Sequence, residues 1–272
     1  RSALADAGYA PGDLDAVVVT HPHSDHIGQV PLFREAGVDV FAPEPALDQL
    51  RRDADDLRAG VREMGRSIGL EAERLDREAD RAVDSLTRDR RLLDPEVTKA
   101  FPFGRPATIA GVEFEPIHTP GHQLHHASLV TRLADERVLF SGDTLIEPFR
   151  AAALHVGIDY GAYEAIDAFY TSMDRYETLE VDRVFPGHGP VFTDYHDVIA
   201  SSRASLDGLV SGTREAVASV GPATPMAVVD ERVGETDHPA QLLDTLGALG
   251  TLDRRGEVTF HLEDGVRYYE SA

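Results

Sequence analysis

The segment His21-Pro-His-Ser-Asp-His26 constrains this 272-residue chain more than any other, because it places three imidazoles and a carboxylate within six residues. It directly follows the apolar run Ala16-Val-Val-Val-Thr20, which predicts a buried β-strand. Side chains two residues apart in extended backbone point the same way, so His21 and His23 can share one metal ion. The carboxylate and the third imidazole, which follow a turn, become available for a second ion. These ligand types suit zinc, with iron or manganese as alternatives.

Three more motifs in the chain supply candidate ligands of the same kind. Each of them follows an apolar, strand-like segment and lies in a turn that contains glycine. Loops at strand ends are where a rigid sheet presents a functional site, so these side chains are expected to converge. The motifs are Thr119-Pro-Gly-His122, Phe140-Ser-Gly-Asp143 and Phe185-Pro-Gly-His188-Gly-Pro190.

The order of these residues, from about residue 13 to residue 195, resembles the metallo-β-lactamase superfamily of hydrolases. The resemblance implies a mixed α/β fold, an αββα sandwich with a dinuclear metal site at one edge of its sheets. It also implies that a hydroxide bridging the two ions is the nucleophile, with Asp25 and Asp143 as catalytic residues. The implied ligands are His21, His23 and His122 for the first ion, Asp25, His26 and His188 for the second, and Asp143 for both.

Two features of the resemblance bear on the type of reaction. Flavodiiron oxygen reductases of this superfamily usually carry glutamate at the position of His23, so this histidine favours hydrolysis over redox chemistry. The motifs Gly142-Asp-Thr-Leu145 and Thr119-Pro-Gly-His122 most resemble those of hydroxyacylglutathione hydrolases and lactonases. The resemblance therefore implies a small ester, thioester or lactone as substrate. An endoribonuclease-like nuclease of the same fold and a non-hydrolytic redox metal protein are the alternatives.

The start of the chain departs from the family pattern. Only twenty residues precede His21, where family members normally have a series of β-hairpins. They predict a short helix from Ser2 to Ala7, a turn at Tyr9-Ala-Pro-Gly12 and one strand. We expect either a first sheet with fewer strands or a sequence that lacks its natural start, and the second alternative is favoured.

The charge of the chain is strongly negative, with 48 acidic and 26 basic residues and a formal net charge of −22. Such a surface repels polyanions, so nucleic acid is not an expected partner. The scarcity of lysine, with Lys99 alone, resembles proteins of salt-loving archaea, whereas an ordinary acidic protein rich in arginine is the alternative. There is no apolar run of membrane-spanning length, and we expect a cytoplasmic protein with no membrane partner. The absence of cysteine excludes disulfides and thiolate ligands.

Residues 44–100 form a charged insertion between the first two ligand motifs. Apolar or small residues recur there at steps of three and four, first from Leu47 to Ile68 and then from Leu75 to Leu86. This spacing predicts two helices folded as a hairpin. The hairpin can pack on the core, form a lid over the metals or make a homodimer contact, and the sequence does not decide among these functions.

Residues 196–272 predict a second, smaller domain after a first domain of residues 1–195. Helices are expected at 198–220, 224–233 and 239–249, the last ending before Gly250. Two strands joined by Glu263-Asp-Gly265 follow, so the region resembles a winged helix. Since the third helix has no basic residue, we expect a scaffold or a wall of the substrate pocket rather than a DNA-binding element.

The remaining histidines carry weaker signals. His118, His125 and His126 flank a predicted ligand, and hydrogen bonding to ligands or core packing is the expected role. His155 belongs to no motif, which predicts no functional role.

Overall fold

The computed structural model describes residues 2–155, 158–236 and 238–272. Its first sheet is parallel and has three strands in the order β1-β2-β3. Its second sheet has five strands in the order β4-β5-β6-β7-β8, antiparallel except for the pair β7 and β8. The strands are β1 Ala16–Val18, β2 Asp39–Pro43, β3 Lys99–Phe101, β4 Ala107–Ile109, β5 Val112–His118, β6 Ala127–Leu133, β7 Glu136–Gly142 and β8 Arg183–Pro186.

Helices follow and connect these strands. A 3-10 turn, Pro11–Asp13, precedes β1. The parallel pair β7 and β8 needs a crossover connection, and a helix supplies it. The helices are α1 Ser2–Asp6, α2 Ser24–Ile27, α3 Val30–Glu35, α4 Glu44–Leu50, α5 Ala54–Ser67, α6 Ala72–Leu92, α7 Ala165–Glu177, α8 Tyr195–Val220, α9 Pro225–Val233 and α10 Pro239–Arg254. None of the helices in the described parts of the chain combines the length and apolarity needed to cross a membrane.

The two sheets pack face to face. Successive side chains of each strand point to opposite faces of its sheet, so alternate residues belong to different apolar clusters. One apolar cluster lies between the sheets and joins Val18 of β1 to Leu129 of β6. The neighbouring residues Val19 and Val130 belong instead to a larger cluster that includes the helices. This alternation builds an αββα sandwich, in which each sheet buries one face against the other sheet and one against helices.

The insertion differs from the predicted pair of helices, because it contains three. The spacing of apolar residues runs without a break from Leu47 to Ile68, yet the chain forms α4 and then α5. Asp53 separates them, since its carboxylate accepts hydrogen bonds from the backbone N–H groups of Asp55 and Asp56 and caps α5. The predicted helix hairpin is formed by α5 and α6, which ion pairs such as Arg62–Asp76 connect.

The last part of the chain contains the three predicted helices and two strands, β9 Val258–Glu263 and β10 Val266–Ser271. Helix α10 is buried over most of its length and packs on α7 and α8. The prediction that this helix ends before Gly250 is wrong, since α10 continues to Arg254. A Cβ at Gly250 would lie 2.1 Å from the carbonyl oxygen of Tyr163, so glycine lets α10 pack closely there.

Candidate metal centre

All of the predicted ligand motifs lie at one edge of the sandwich. His21 follows the end of β1, and Asp25 and His26 lie in the short helix α2. His122 lies between β5 and β6, whereas Asp143 and His188 follow β7 and β8. Two backbone hydrogen bonds hold this edge together, from Ala127 N to Thr20 O at 2.9 Å and from Gly187 N to Gly142 O at 2.8 Å.

Asp143 lies at the centre of the cluster. Its Oδ2 atom is within 4 Å of the Nε2 atoms of four histidines, which surround it from different strand ends. The distances are 3.1 Å to His26, 3.4 Å to His122, 3.4 Å to His188 and 3.8 Å to His21. A carboxylate in this position can contact two ions that are bound on either side of it.

The structure brings all seven predicted residues together. They form three overlapping groups, and within each group the potential ligand atoms lie within 4.8 Å of one another. The first and third groups have the same members as the two histidine-rich ligand sets that the resemblance implies. The groups are His21, His23 and His122; His21, His26 and Asp143; and Asp25, His26 and His188.

Hydrogen bonds of the outer ring nitrogens determine which nitrogens face the centre. Nε2 of His23 donates to the carbonyl oxygen of Leu154 at 2.6 Å, and Nδ1 of His122 donates to that of Ala152 at 2.7 Å. Because a carbonyl only accepts, these nitrogens carry the protons of the neutral rings. The opposite nitrogens, Nδ1 of His23 and Nε2 of His122, then direct lone pairs toward each other across 2.9 Å. A cation between them removes this repulsion, so the pair fits a metal ion.

Burial favours the neutral forms of His21 and His122. It lowers the pKa of His21 well below its ordinary value and that of His122 to about 3, with neighbouring imidazoles adding to the effect. Burial opposes ionisation of Asp143, but the hydrogen bond to His26 and the charge of that imidazole outweigh burial and lower the pKa of this carboxyl. Burial lowers the pKa of His26 as well, but its hydrogen bond to Asp143 and the charge of that carboxylate outweigh burial and raise it. Neutral His21 and His122 beside an ionised carboxylate are the protonation states that metal binding requires.

Two buried atoms of the cluster lack the partners that buried polar groups normally have. Among the described residues, Nε2 of His21 and Oδ1 of Asp143 have no hydrogen-bond partner. Both atoms belong to the cluster, where an ion would satisfy them. The backbone of the motif that contains His188 approaches Asp143 closely, since a Cβ at Gly187 would lie 2.1 Å from Oδ1 of Asp143. The glycine before His188 therefore lets the last motif reach the centre.

A buried hydrogen-bond network supports Asp143 from behind. Its backbone N–H donates to Nε2 of His126 at 3.1 Å, so Nδ1 of this neutral histidine donates to Thr119 Oγ1 at 2.8 Å. Thr119 is also 2.9 Å from the hydroxyl of Ser128, which in turn lies 2.7 Å from that of Tyr176. His126 thus has the hydrogen-bonding role that its place beside His122 predicts.

A pocket of about 1030 Å³ opens onto the cluster. Its walls include α6 of the insertion, the described residues of segment 146–158, and the start of α10. His155, which no sequence motif marks, also lines this pocket, and burial lowers its pKa to about 4. The insertion therefore borders the site, while its predicted role in a homodimer stays a prediction.

Comparisons with known proteins agree with this geometry. The sequence profile of the Metallo-beta-lactamase superfamily matches residues 1–188. A Beta-lactamase-like protein 2 homolog from Caenorhabditis elegans is 26% identical over 178 residues, which are 65% of this chain and 43% of that protein. A hydroxyacylglutathione hydrolase from Pseudomonas entomophila is 29% identical over 144 residues, which are 52% of this chain and 38% of that protein. The chain thus matches less than half the length of either relative.

Solved structures show the same fold. The crystal structure of a metallo-beta-lactamase family protein from Thermus thermophilus has a TM-score of 0.73 and 21% sequence identity. The similarity covers 100% of this chain and 84% of that one. The chain belongs to the metallo-beta-lactamase superfamily, and the predicted fold class is confirmed. Members of this superfamily are generally metal-binding hydrolases, and the histidine and aspartate groups fit such a site.

Proposed function

We propose that this protein is a hydrolase with two metal ions, most suitably zinc, that acts on a small ester, thioester or lactone. The observation that carries the proposal is that five of the seven clustered residues line a walled pocket. They are His23, Asp25, His122, Asp143 and His188. The pocket volume of about 1030 Å³ is in the range of sites that enclose small molecules. Helices α6 and α10 border it on different sides, which suits a small substrate better than a long polymer.

The charges around the pocket support a small substrate over a nucleic acid. Apart from the predicted ligands, the described charged residues that line it are three acids and three arginines. Two of these arginines are paired, Arg81 with Glu78 at 2.9 Å and Arg88 with the carboxylate of the next residue at 2.8 Å. A phosphate backbone requires an excess of positive charge along its path, and this pocket has no such excess.

The clustered residues would hold the two ions as two partly separate sets. In His23 and His122, one ring nitrogen donates a hydrogen bond to a backbone carbonyl oxygen. The other ring nitrogen then carries the free lone pair that such an ion needs. When bound, zinc supplies Lewis acidity, which activates water and polarises a carbonyl oxygen. The first set would be His21, His23 and His122, the second would be Asp25, His26 and His188, and Asp143, which groups with His21 and His26, would be shared by both.

Side chains of the protein direct the proton transfers of hydrolysis. Asp25 lies on the pocket side of the cluster with 60% of its side chain exposed, so its carboxylate can accept the proton that water loses. Water oxygen bonds to the carbonyl carbon, the bond to the leaving sulfur or oxygen breaks, and the leaving group takes up a proton. Asp143 stays ionised in this scheme, because its hydrogen bond to His26 lowers its pKa.

A substrate panel with matched metal analysis tests the proposal. Metal content is measured on protein purified without chelator, and turnover on a hydroxyacyl thioester of glutathione, an acyl-homoserine lactone, an aryl ester, an aryl phosphodiester and RNA. We expect two ions per chain and turnover of at least one carbonyl substrate. Cleavage of RNA with no turnover of any carbonyl compound would favour the nuclease alternative.

A matched pair of variants guards against a contaminating hydrolase. Asp143→Asn keeps the shape of the central side chain and removes its charge, so turnover is expected to be lost. His261→Ala removes a half-exposed histidine of the C-terminal hairpin and is expected to leave turnover unchanged. Equal activity in both preparations would show that the activity belongs to another protein.

A further inference from the structure

Asp244 is a buried carboxylate on a helix whose buried side chains are mostly apolar, and nothing in the metal cluster contacts it directly. It lies on α10 between Leu243 and Thr245 and is 7% exposed. Its Oδ1 atom accepts a hydrogen bond from the backbone N–H of Ala153 at 2.9 Å. Burial raises the pKa of Asp244 to about 6, so the fold tolerates an unfavourable position for this carboxyl. A position of this kind suggests a role beyond packing.

The segment 152–154 that Asp244 holds contacts two predicted ligands on its other side. The carbonyl oxygens of Ala152 and Leu154 accept hydrogen bonds from His122 and His23, at 2.7 Å and 2.6 Å. The N–H of Leu154 also donates to the carbonyl oxygen of His122 at 2.7 Å. The carbonyl groups of Ala152 and Leu154 therefore face the metal cluster, whereas the N–H of Ala153 faces α10.

We propose that Asp244 is a positioning residue for the first metal site, acting through segment 152–154 on the rings of His23 and His122. This inference rests on the proposed function, because it assumes that these histidines hold an ion. Without Asp244, the N–H of Ala153 would be buried and unpaired, since Ala153 is fully buried. The segment would move to satisfy that group, and the two carbonyls would no longer fix the imidazoles.

The proposal gives the last part of the chain a function in the metal site. Asp244 follows Ala153 by 91 residues, so the contact depends on how α10 docks. Mutation of the groups that accept hydrogen bonds from metal-bound histidines typically lowers metal affinity by about 10- to 100-fold. Here a carboxylate on α10 orients the partners themselves, which makes α10 a support of the metal site as well as a wall of the pocket.

The experiment compares four variants of the full chain. Asp244→Ala and Asp244→Leu remove the acceptor, and leucine in addition fills the space among apolar neighbours. Asp244→Asn retains an oxygen that can accept from Ala153. Thr251→Val is the control, since Thr251 is also buried on the same helix and donates to Asp167 at 2.7 Å, away from the segment.

Each protein is stripped with a chelator and titrated with zinc against a chromophoric chelator, and with cobalt followed by visible absorption. We expect both acceptor-removing variants to bind one ion about 10- to 100-fold more weakly, with an altered cobalt spectrum. The metal affinities of Asp244→Asn and Thr251→Val should stay within about threefold of that of the unaltered protein. A general loss of stability would not produce this difference between the two pairs of variants.

The outcomes separate this inference from the proposed function. If the unaltered protein binds no ion, the proposed function fails. If it binds two ions and the folded Asp244→Leu protein keeps both affinities and the cobalt spectrum, only the role of Asp244 fails. Equal weakening in Thr251→Val would also overturn it, because loosening of α10 would then explain the effect.

Discussion

The carboxylate of Asp25 lies 3.2 Å from Nε2 of His188, and both side chains are more than half exposed. The first set of ligands is different, since His21 is fully buried and His122 nearly so. A buried site exchanges its ion more slowly with solvent and chelators than an exposed one, and its ligands are held more rigidly. The two sets should therefore differ in affinity.

We predict that a chelator removes the ions in two steps, the second set losing its ion first. His188→Ala should leave one ion per chain, retain the fold and lower turnover by at least about 100-fold. Elemental analysis after graded chelator treatment, with thermal melts, measures this. His196→Ala is the control, because it removes an exposed histidine eight residues away. Two ions retained in His188→Ala would contradict the assignment.

His126 offers a test of the buried network behind Asp143. His126→Ala removes the acceptor for the Asp143 N–H and leaves a cavity, so we expect a loss of about 2–5 kcal/mol in the free energy of unfolding. Metal affinity should fall by about 10-fold or more, since the backbone that carries the central carboxylate loses its support. Denaturant unfolding and metal titration measure both effects.

The neighbouring histidine provides the control for that experiment. His125 is only partly buried, and its ring lies 3.3 Å from the hydroxyl of Tyr160 rather than against the cluster. His125→Ala should change the free energy of unfolding by less than about 1 kcal/mol. If both alanine variants behave alike, the network does not support the site.

The seven clustered residues could be predicted from sequence because each follows a strand and a turn. Linear spacing alone brings His21 and His23 together, and the sheet aligns the remaining strand ends. The break at Asp53 was missed because the periodicity of apolar residues is continuous, although an N-cap residue marks it. The link from Asp244 to Ala153 could not be predicted, since it depends on how α10 docks 91 residues later. The local signal is a single charged residue in the mostly apolar stretch from Leu242 to Leu252.

The acidic composition predicts that salt stabilises the fold. With a net charge of −22, repulsion among exposed carboxylates should destabilise the protein in dilute buffer, and added salt should screen it. We expect the melting temperature to rise by at least about 5 °C between about 0.1 M and about 2 M KCl. Sucrose at matched osmolality is the control for general exclusion effects. A melting temperature independent of KCl would refute the resemblance to proteins of salt-loving organisms.

Asp244 should also make stability depend on pH, in a direction opposite to that of most carboxyl groups. Burial raises its pKa to about 6 in the folded chain, against about 3.9 when unfolded, although the hydrogen bond from Ala153 and the charge of Arg232 oppose the shift. Between these two pH values the folded state binds more protons than the unfolded state. The contribution of neutral Asp244 to stability is therefore fully present below about pH 4 and is lost as the pH rises to about 6. The free energy of unfolding of the metal-free protein, relative to that of Asp244→Asn, should therefore decrease by about 3 kcal/mol over this window and stay constant above it. Urea unfolding of both proteins at a series of pH values measures this difference, in which all other titrating groups cancel. A difference that does not change with pH would show that Asp244 titrates as an ordinary carboxyl.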